Sequence, residues 1–194
     1  KDLPSSTKKR LIQLRQMLLS YDEEKITSKK ISELSGWKDS LIRHDLFLLK
    51  ITKGVSNGYF CKDLIQQINL AESEQKNCCI VGLGRLGAAL LDENLVINSQ
   101  FTIKAGFDSN LNRVEILRSN FPLYPANEMQ FVIKKENIEY AILTVSDKDA
   151  QQNAKRLADC GIKGIVNMTN KILSLPKEIR VENLSILNSL QLLL

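Results

Sequence analysis

The sequence is poor in the residues from which metal sites and disulfide frameworks are built. It has one histidine, His44, and four cysteines, Cys61, Cys78, Cys79 and Cys160, with no CxxC among them. That supply is too thin for a zinc site made of Cys and His. Cys78 and Cys79 sit in an apolar run, where a thiol packs as a small core residue. The pattern fits a reducing, cytoplasmic setting. No stretch approaches the roughly 20 apolar residues needed to cross a bilayer. Lys1 to Thr7 lacks the apolar run of a signal peptide, so none is expected. The chain starts at Lys1 rather than Met, as a sequence lacking a few residues would.

What is present is distributed unevenly. The net charge of +5 arises entirely in the first third. Residues 1–62 hold 13 Lys/Arg against 7 Asp/Glu, while residues 63–194 hold 14 against 15. A basic excess confined to one segment points to a polyanion partner for that segment alone, or to an ordinary solvated face. The chain has 194 residues, enough for one domain of ordinary size or two small ones.

The periodicity divides in the same way. Residues 7–20 place Leu11, Ile12, Leu14, Leu18 and Leu19 on one broad helical face. Thr27 or Ser28 can cap a short helix carrying Ile31 and Leu34, and Ser35-Gly36-Trp37 breaks it. A third helix, about 38–49, turns Leu41, Ile42, Leu46 and Leu49 inward. Residues 51–60 (ITKGVSNGYF) carry turn signals at Gly54 and Asn57-Gly58 between β-prone residues, which predicts a hairpin or wing. A closing helix follows at 61–71, then a polar linker, 71–77.

From residue 78 onward, apolar runs alternate with helical patterns. The runs lie at 78–81, 101–107, 140–145, 164–168 and 179–184, with helices expected at about 85–93, 111–119, 127–136 and 147–160. Strand–helix alternation is the signature of a parallel sheet with crossover helices.

Gly82-Leu83-Gly84-Arg85-Leu86-Gly87 is a GxGxxG placed between a strand run and a helical run. In such a loop Gly82 permits the tight turn. Gly84 lets the backbone approach a pyrophosphate, and Gly87 lets helix and strand pack closely. Arg85 and Leu86 open the helix whose N–H groups face the phosphates. Asp108 ends the next strand, where it would accept from the adenosine ribose hydroxyls and repel a 2′-phosphate, favouring NAD(H) over NADP(H). Arg113 is near enough in sequence to weaken that preference, though a solvated side chain is the expectation. A Rossmann-like scaffold without a ligand is the alternative. A dehydrogenase needs a proton donor or acceptor near the nicotinamide. The one histidine lies outside this domain and no Lys–Tyr pair is evident, so binding rather than turnover is expected.

Three helices and a hairpin, with a Gly-containing turn between the second and third helices, fit a winged helix-turn-helix. The third helix would then enter the major groove with Ser40, Arg43 and His44 outward. Arg43 is suited to a guanine. Lys8, Lys9 and Lys38 would contact the backbone, and Lys53 with Gly54 would serve as the wing. The alternative is a helical oligomerisation domain with solvated charges.

Together these segments resemble the Rex family of redox-sensing repressors over nearly the whole chain. Residues 42–46 (IRHDL) are similar to the family's recognition helix. Lys53-Gly54-Val55 with Gly58-Tyr59 resembles its wing, and residues 80–87 its nucleotide loop. Residues 106–108, 141–145 and 158–167 resemble further strand ends. The resemblance adds Val145, Ser146 and Asn167 to the expected cofactor contacts. It implies a homodimer on a palindromic operator, with NADH releasing the DNA and NAD⁺ competing without releasing it. It also implies a C-terminal helix exchanged between subunits. Residues 184–194 are strongly apolar, with Ser185, Ile186, Leu187 and Leu190 as the expected swapped contacts. Ser185 and Ile186 stand where the family tends to carry an Asp and an aromatic residue, and Glu93 where a tyrosine is common. His44 replaces a lysine and Ser146 a proline.

The expected architecture is therefore α/β. A winged-helix DNA-binding domain occupies residues 1–74, a Rossmann NAD(H)-binding domain 75–183, and the swapped helix 184–194. The expected function is a cytoplasmic repressor that senses the NADH/NAD⁺ ratio. The alternatives are a DNA-binding paralogue with an altered cofactor response and a small NAD-dependent oxidoreductase.

Overall fold

A computed structural model describes residues 3–51, 58–71, 74–91, 96 and 99–194. The chain divides into two compact units, Lys1–Ser73 and Glu74–Leu194.

In the first unit, α1 (Ser5–Leu19) is followed by a two-residue strand, β1 (Lys25–Ile26). Next come α2 (Ser28–Ser35), α3 (Asp39–Leu48), β2 (Tyr59–Phe60) and α4 (Cys61–Ala71). Thr27 caps α2, its hydroxyl accepting from the Lys30 N–H at 3.0 Å. Gly36 ends α2 in the left-handed conformation at φ 73°, which a Cβ would oppose. The core joins Leu11, Leu14 and Leu18 of α1 to Ile31, Ile42, Leu46, Leu64 and Ile68. Each such side chain contributes about 2 kcal/mol relative to exposure.

The expected face of α1 was too broad, because Ile12 and Leu19 are exposed. Leu34 of α2 is exposed too, and Leu41 of α3 only half-buried. The first arm and turn of the hairpin read within 51–60 fall on residues 52–57, outside the described residues, while its second arm has a partner that was not foreseen. Tyr59 and Phe60 pair antiparallel with Ile26 and Lys25, 33 and more residues upstream in the sequence. Local turn signals could not disclose that partner. Lys53 and Gly54, with the rest of 52–57, lie outside the described residues.

The second unit is a six-stranded, wholly parallel sheet. Its strands are β3 (Lys76–Val81), β4 (Phe101–Asp108), β5 (Leu123–Pro125), β6 (Ile138–Leu143), β7 (Gly164–Asn167) and β8 (Arg180–Asn183). Their spatial order is β5-β4-β3-β6-β7-β8. Counted within the unit this is 3-2-1-4-5-6, the dinucleotide-binding Rossmann order. The helices are α5 (Arg85–Ala89), α6 (Leu111–Ile116), α7 (Met129–Lys135), α8 (Asp147–Asp159) and α9 (Ile186–Gln191).

β3 is central and buried on both faces, so it reads as a continuous apolar run. Lys76 and Asn77, read as linker, already pair in it. β5 was not expected. It has three residues, one of them proline, and is an edge strand, where proline is tolerated. No helix among the described residues is long and apolar enough to cross a membrane.

Candidate functional site

The chain leaves β3 toward β4 on one side and later returns to β6 on the other. The crossover direction therefore reverses at the carboxyl ends of Val81 and Leu143, where a crevice must open. A cavity of about 500 Å³ lies there, lined among others by Gly82, Gly84, Asp108, Arg113, Val145 and Ser146.

The three glycines differ in what requires them. Gly82 adopts φ 96°, and a Cβ there would meet Val145 at 2.8 Å. A Cβ on Gly87 would lie 1.8 Å from the Gly82 carbonyl oxygen, so α5 rests directly on the loop. A Cβ on Gly84 would meet nothing nearer than Arg113 Nη1 at 4.0 Å. The protein's own packing leaves Gly84 room for a side chain. Its bare backbone faces the cavity, as a loop that admits a pyrophosphate requires. Thr144 closes the other side, its hydroxyl donating to the Gly82 carbonyl at 2.6 Å. Sequence reasoning counted Thr144 within the strand run 140–145 and did not place it at the site.

Asp108 is buried, and its partners differ from those expected. Its Oδ2 accepts from the Leu83 N–H at 2.6 Å and from Arg113 Nη1 at 3.3 Å, and its Oδ1 accepts from the Asn110 N–H at 2.7 Å. A carboxylate offers roughly four acceptor positions. Three are engaged, so Oδ1 has capacity for one further donor. Arg113 is thus not simply solvated: it is half-exposed, paired with Asp108, and part of the cavity wall. Leu83 is a core residue whose N–H fastens the loop to β4. Arg85 and Leu86 are exposed on the first turn of α5.

Val145 is half-buried and Ser146 exposed, its hydroxyl donating to Asp149 Oδ2 at 2.5 Å. Asn167 is elsewhere. It is buried, its amide donates to Lys171 O and Asn183 Oδ1, and its oxygen accepts from Thr169. Those bonds organise the loop between β7 and β8. One wall of the cavity was missed in the sequence: Lys148, Gln152, Asn153 and Arg156 of α8. Lys148, Gln152 and Arg156 recur at steps of four opposite the buried Ala150, Ala154 and Leu157, so the helical period carried the signal.

Cys78 and Cys79 pack as core residues. Burial pushes Cys78 up to about 11 and raises Cys79 further. Both stay protonated at neutral pH, and the thiolate is the reactive form.

In the first unit, Ser40, Arg43 and His44 are exposed on α3, with Lys38 exposed at its N-cap and Lys9 exposed on α1. Arg43 Nη2 pairs with Asp39 Oδ2 at 2.8 Å. The Ser28 hydroxyl first, and Arg43 second, hold the Asp39 carboxyl below its usual range. The ion pair is therefore intact at neutral pH and is lost only as pH falls through that lowered value. Asp45, on the other side of α3, is buried. Its carboxylate accepts from Arg10 Nε at 2.6 Å and Nη2 at 2.8 Å, and from the Thr7 hydroxyl at 3.1 Å. This bidentate pair ties α3 to α1 across the core.

At the C-terminus Ser185 caps α9, accepting from the Asn188 N–H at 3.3 Å. Ile186, Leu187 and Leu190 are all exposed in the single chain. Glu93 lies outside the described residues.

A Rossmann sheet with a glycine-loop cavity, in one chain with a small helical unit, defines a two-unit protein of the dinucleotide-binding class. The CoA binding domain family matches residues 73–171. The redox-sensing transcriptional repressor Rex of Listeria welshimeri is 30% identical over 99% of this chain and 92% of its own length. The crystal structure of the Rex-family repressor RSP with β-NADH superposes with a TM-score of 0.84 at 27% identity. It covers 100% of this chain and 93% of that one. The complex of RSP with β-NAD⁺ and operator DNA also gives 0.84, at 26% identity, covering 100% and 91%. The chain belongs to the Rex family of redox-sensing transcriptional repressors.

Proposed function

We propose that the protein is a cytoplasmic, homodimeric repressor that binds a palindromic operator and releases it when NADH occupies the switch-point cavity. The observation that carries this reading is the open backbone at Gly84 beside the buried Asp108. RSP, similar along the whole chain, has been crystallised with NADH and with NAD⁺ plus operator DNA. The bound nucleotide supplies the redox signal. Gly84 admits the pyrophosphate, and Asp108 disfavours a 2′-phosphate by its charge. Val145, against Gly82, and Ser146 complete the lining of the cavity. The exposed apolar residues of α9 would be covered by a partner subunit.

NADH moves the equilibrium only as far as it binds the released state better. The two winged helices of a dimer must sit about 34–36 Å apart, or a multiple of that, to reach successive grooves. A closed dimer would break that spacing. The test is calorimetry of NADH and NAD⁺ with and without a duplex selected by the protein from a randomised library. NADH should bind at least tenfold more weakly when that duplex is present, by reciprocity. Equal NADH affinity in both cases would refute the switch.

Asp39 adds a second expectation. Its carboxylate repels phosphate and holds Arg43. Asp39→Asn is expected to strengthen binding to random duplex severalfold and to narrow the preference for the selected site. Fluorescence anisotropy on both duplexes over a salt series checks this.

A further inference from the structure

The outward strip of α3 contains a residue that its polar neighbours do not explain. Ser40, Arg43, His44 and Phe47 recur at steps of three and four, so they share one face. The opposite face carries Ile42, Asp45 and Leu46, all buried. Phe47 is the last residue of the outward strip, one residue before the end of α3, and is 66% exposed. Its ring adds nothing to the core, which Ile42 and Leu46 fill from the other side.

The neighbours indicate what covers it. Arg43 stands one turn earlier and Lys38 at the helix start, both exposed, within a segment whose charge is strongly positive. An acidic protein surface would satisfy those cations but offers no reason for an aromatic plate among them. The major groove of DNA offers both anionic rims and one kind of apolar group, the C5-methyl of thymine. We propose that Phe47 is a specificity-determining residue that lays its ring on a thymine methyl, one helical turn along the groove from the base met by Arg43. This inference rests on the DNA-binding reading above.

Deoxyuridine in place of thymine deletes only the methyl group. The probe is the duplex that the full-length protein selects from a randomised library, with each thymine replaced in turn by deoxyuridine. At one position per half-site the replacement should weaken the unaltered protein roughly three- to fivefold, the worth of one buried methyl. Phe47→Ala should lose about as much and become indifferent to deoxyuridine at that position alone. Phe47→Leu, which keeps an apolar side chain, should retain part of the discrimination. Both substitutions are at an exposed position, and unchanged thermal unfolding verifies the fold.

Two results would overturn the proposal. One is Phe47→Ala binding as tightly as the unaltered protein. The other is a deoxyuridine penalty that persists undiminished in Phe47→Ala. Either, with salt-dependent selection of a sequence intact, removes Phe47 from the readout and leaves the DNA-binding reading standing. Absence of any salt-dependent duplex binding removes both.

Discussion

Gly87→Ala is expected to destabilise the second unit by about 3 kcal/mol and to abolish NADH binding, whereas Gly84→Ala should leave stability nearly unchanged. The difference follows from what a methyl group meets. At Gly87 it falls 1.8 Å from the backbone oxygen of Gly82, and backbone cannot rotate away as a side chain can. Either α5 lifts off the loop or Gly82 leaves its φ of 96°, and both changes destroy the cradle. At Gly84 the nearest obstacle is the mobile end of Arg113, 4.0 Å away. A methyl group there fits the protein but stands where a pyrophosphate must approach. Gly84→Ala should therefore keep its melting temperature and lose NADH affinity roughly tenfold or more. Thermal unfolding and calorimetry on the two variants separate the effects. Equal loss of stability in both would show that the room at Gly84 has another use.

Asp45→Ala is expected to cost about 3 kcal/mol in the first unit and to remove operator binding, while NADH binding persists. Asp45 is 4% exposed and holds three donors from α1. Its loss leaves the Arg10 guanidinium without its bidentate partner and frees α3 to change angle. The double variant Arg10→Met with Asp45→Leu should regain part of the stability, because two apolar groups replace a pair that was costly to desolvate. Operator affinity should remain lower than in the unaltered protein, since packing alone does not tie α3 to α1 as a bidentate pair does. Denaturant unfolding with anisotropy on the selected duplex checks both. Full recovery of DNA binding would show that the ion pair serves stability only.

Much of the cofactor cavity was legible in the sequence because its parts are contiguous. Residues 82–87 form a local turn whose glycines have local reasons, and the preceding run could only be a strand at that length. The α8 wall was equally readable from its helical period but was passed over. Asp108 was placed correctly at a strand end, yet its partners were not foreseen. Leu83, Asn110 and Arg113 meet it only once β3 and β4 pair and the loop folds back. Asn167 illustrates the opposite case. Its sequence position beside a strand end matched the expected site, but the loop after β7 folds over it and takes its hydrogen bonds inward.

The same division holds for the helical unit. The apolar period located α1, α2 and α3, but it could not say that Ile12 and Leu19 face water. Period gives the direction of a helix face; how much of that face is covered depends on how many helices pack against it. Nor could it show that Asp45 is buried, because a charged residue next to a reading face looks solvated until Arg10 of a distant helix is brought against it.

The sequence by itself determined the alternation of elements, the glycine loop, the basic first third and the family, because each resides in short-range pattern or in residue identity. Only the tertiary structure decided the strand order, the partners of Asp108 and Asp45, and the pairing of β2 with β1. Those are contacts between residues far apart in the chain, and they exist only after the entropy of closing the intervening loops has been overcome.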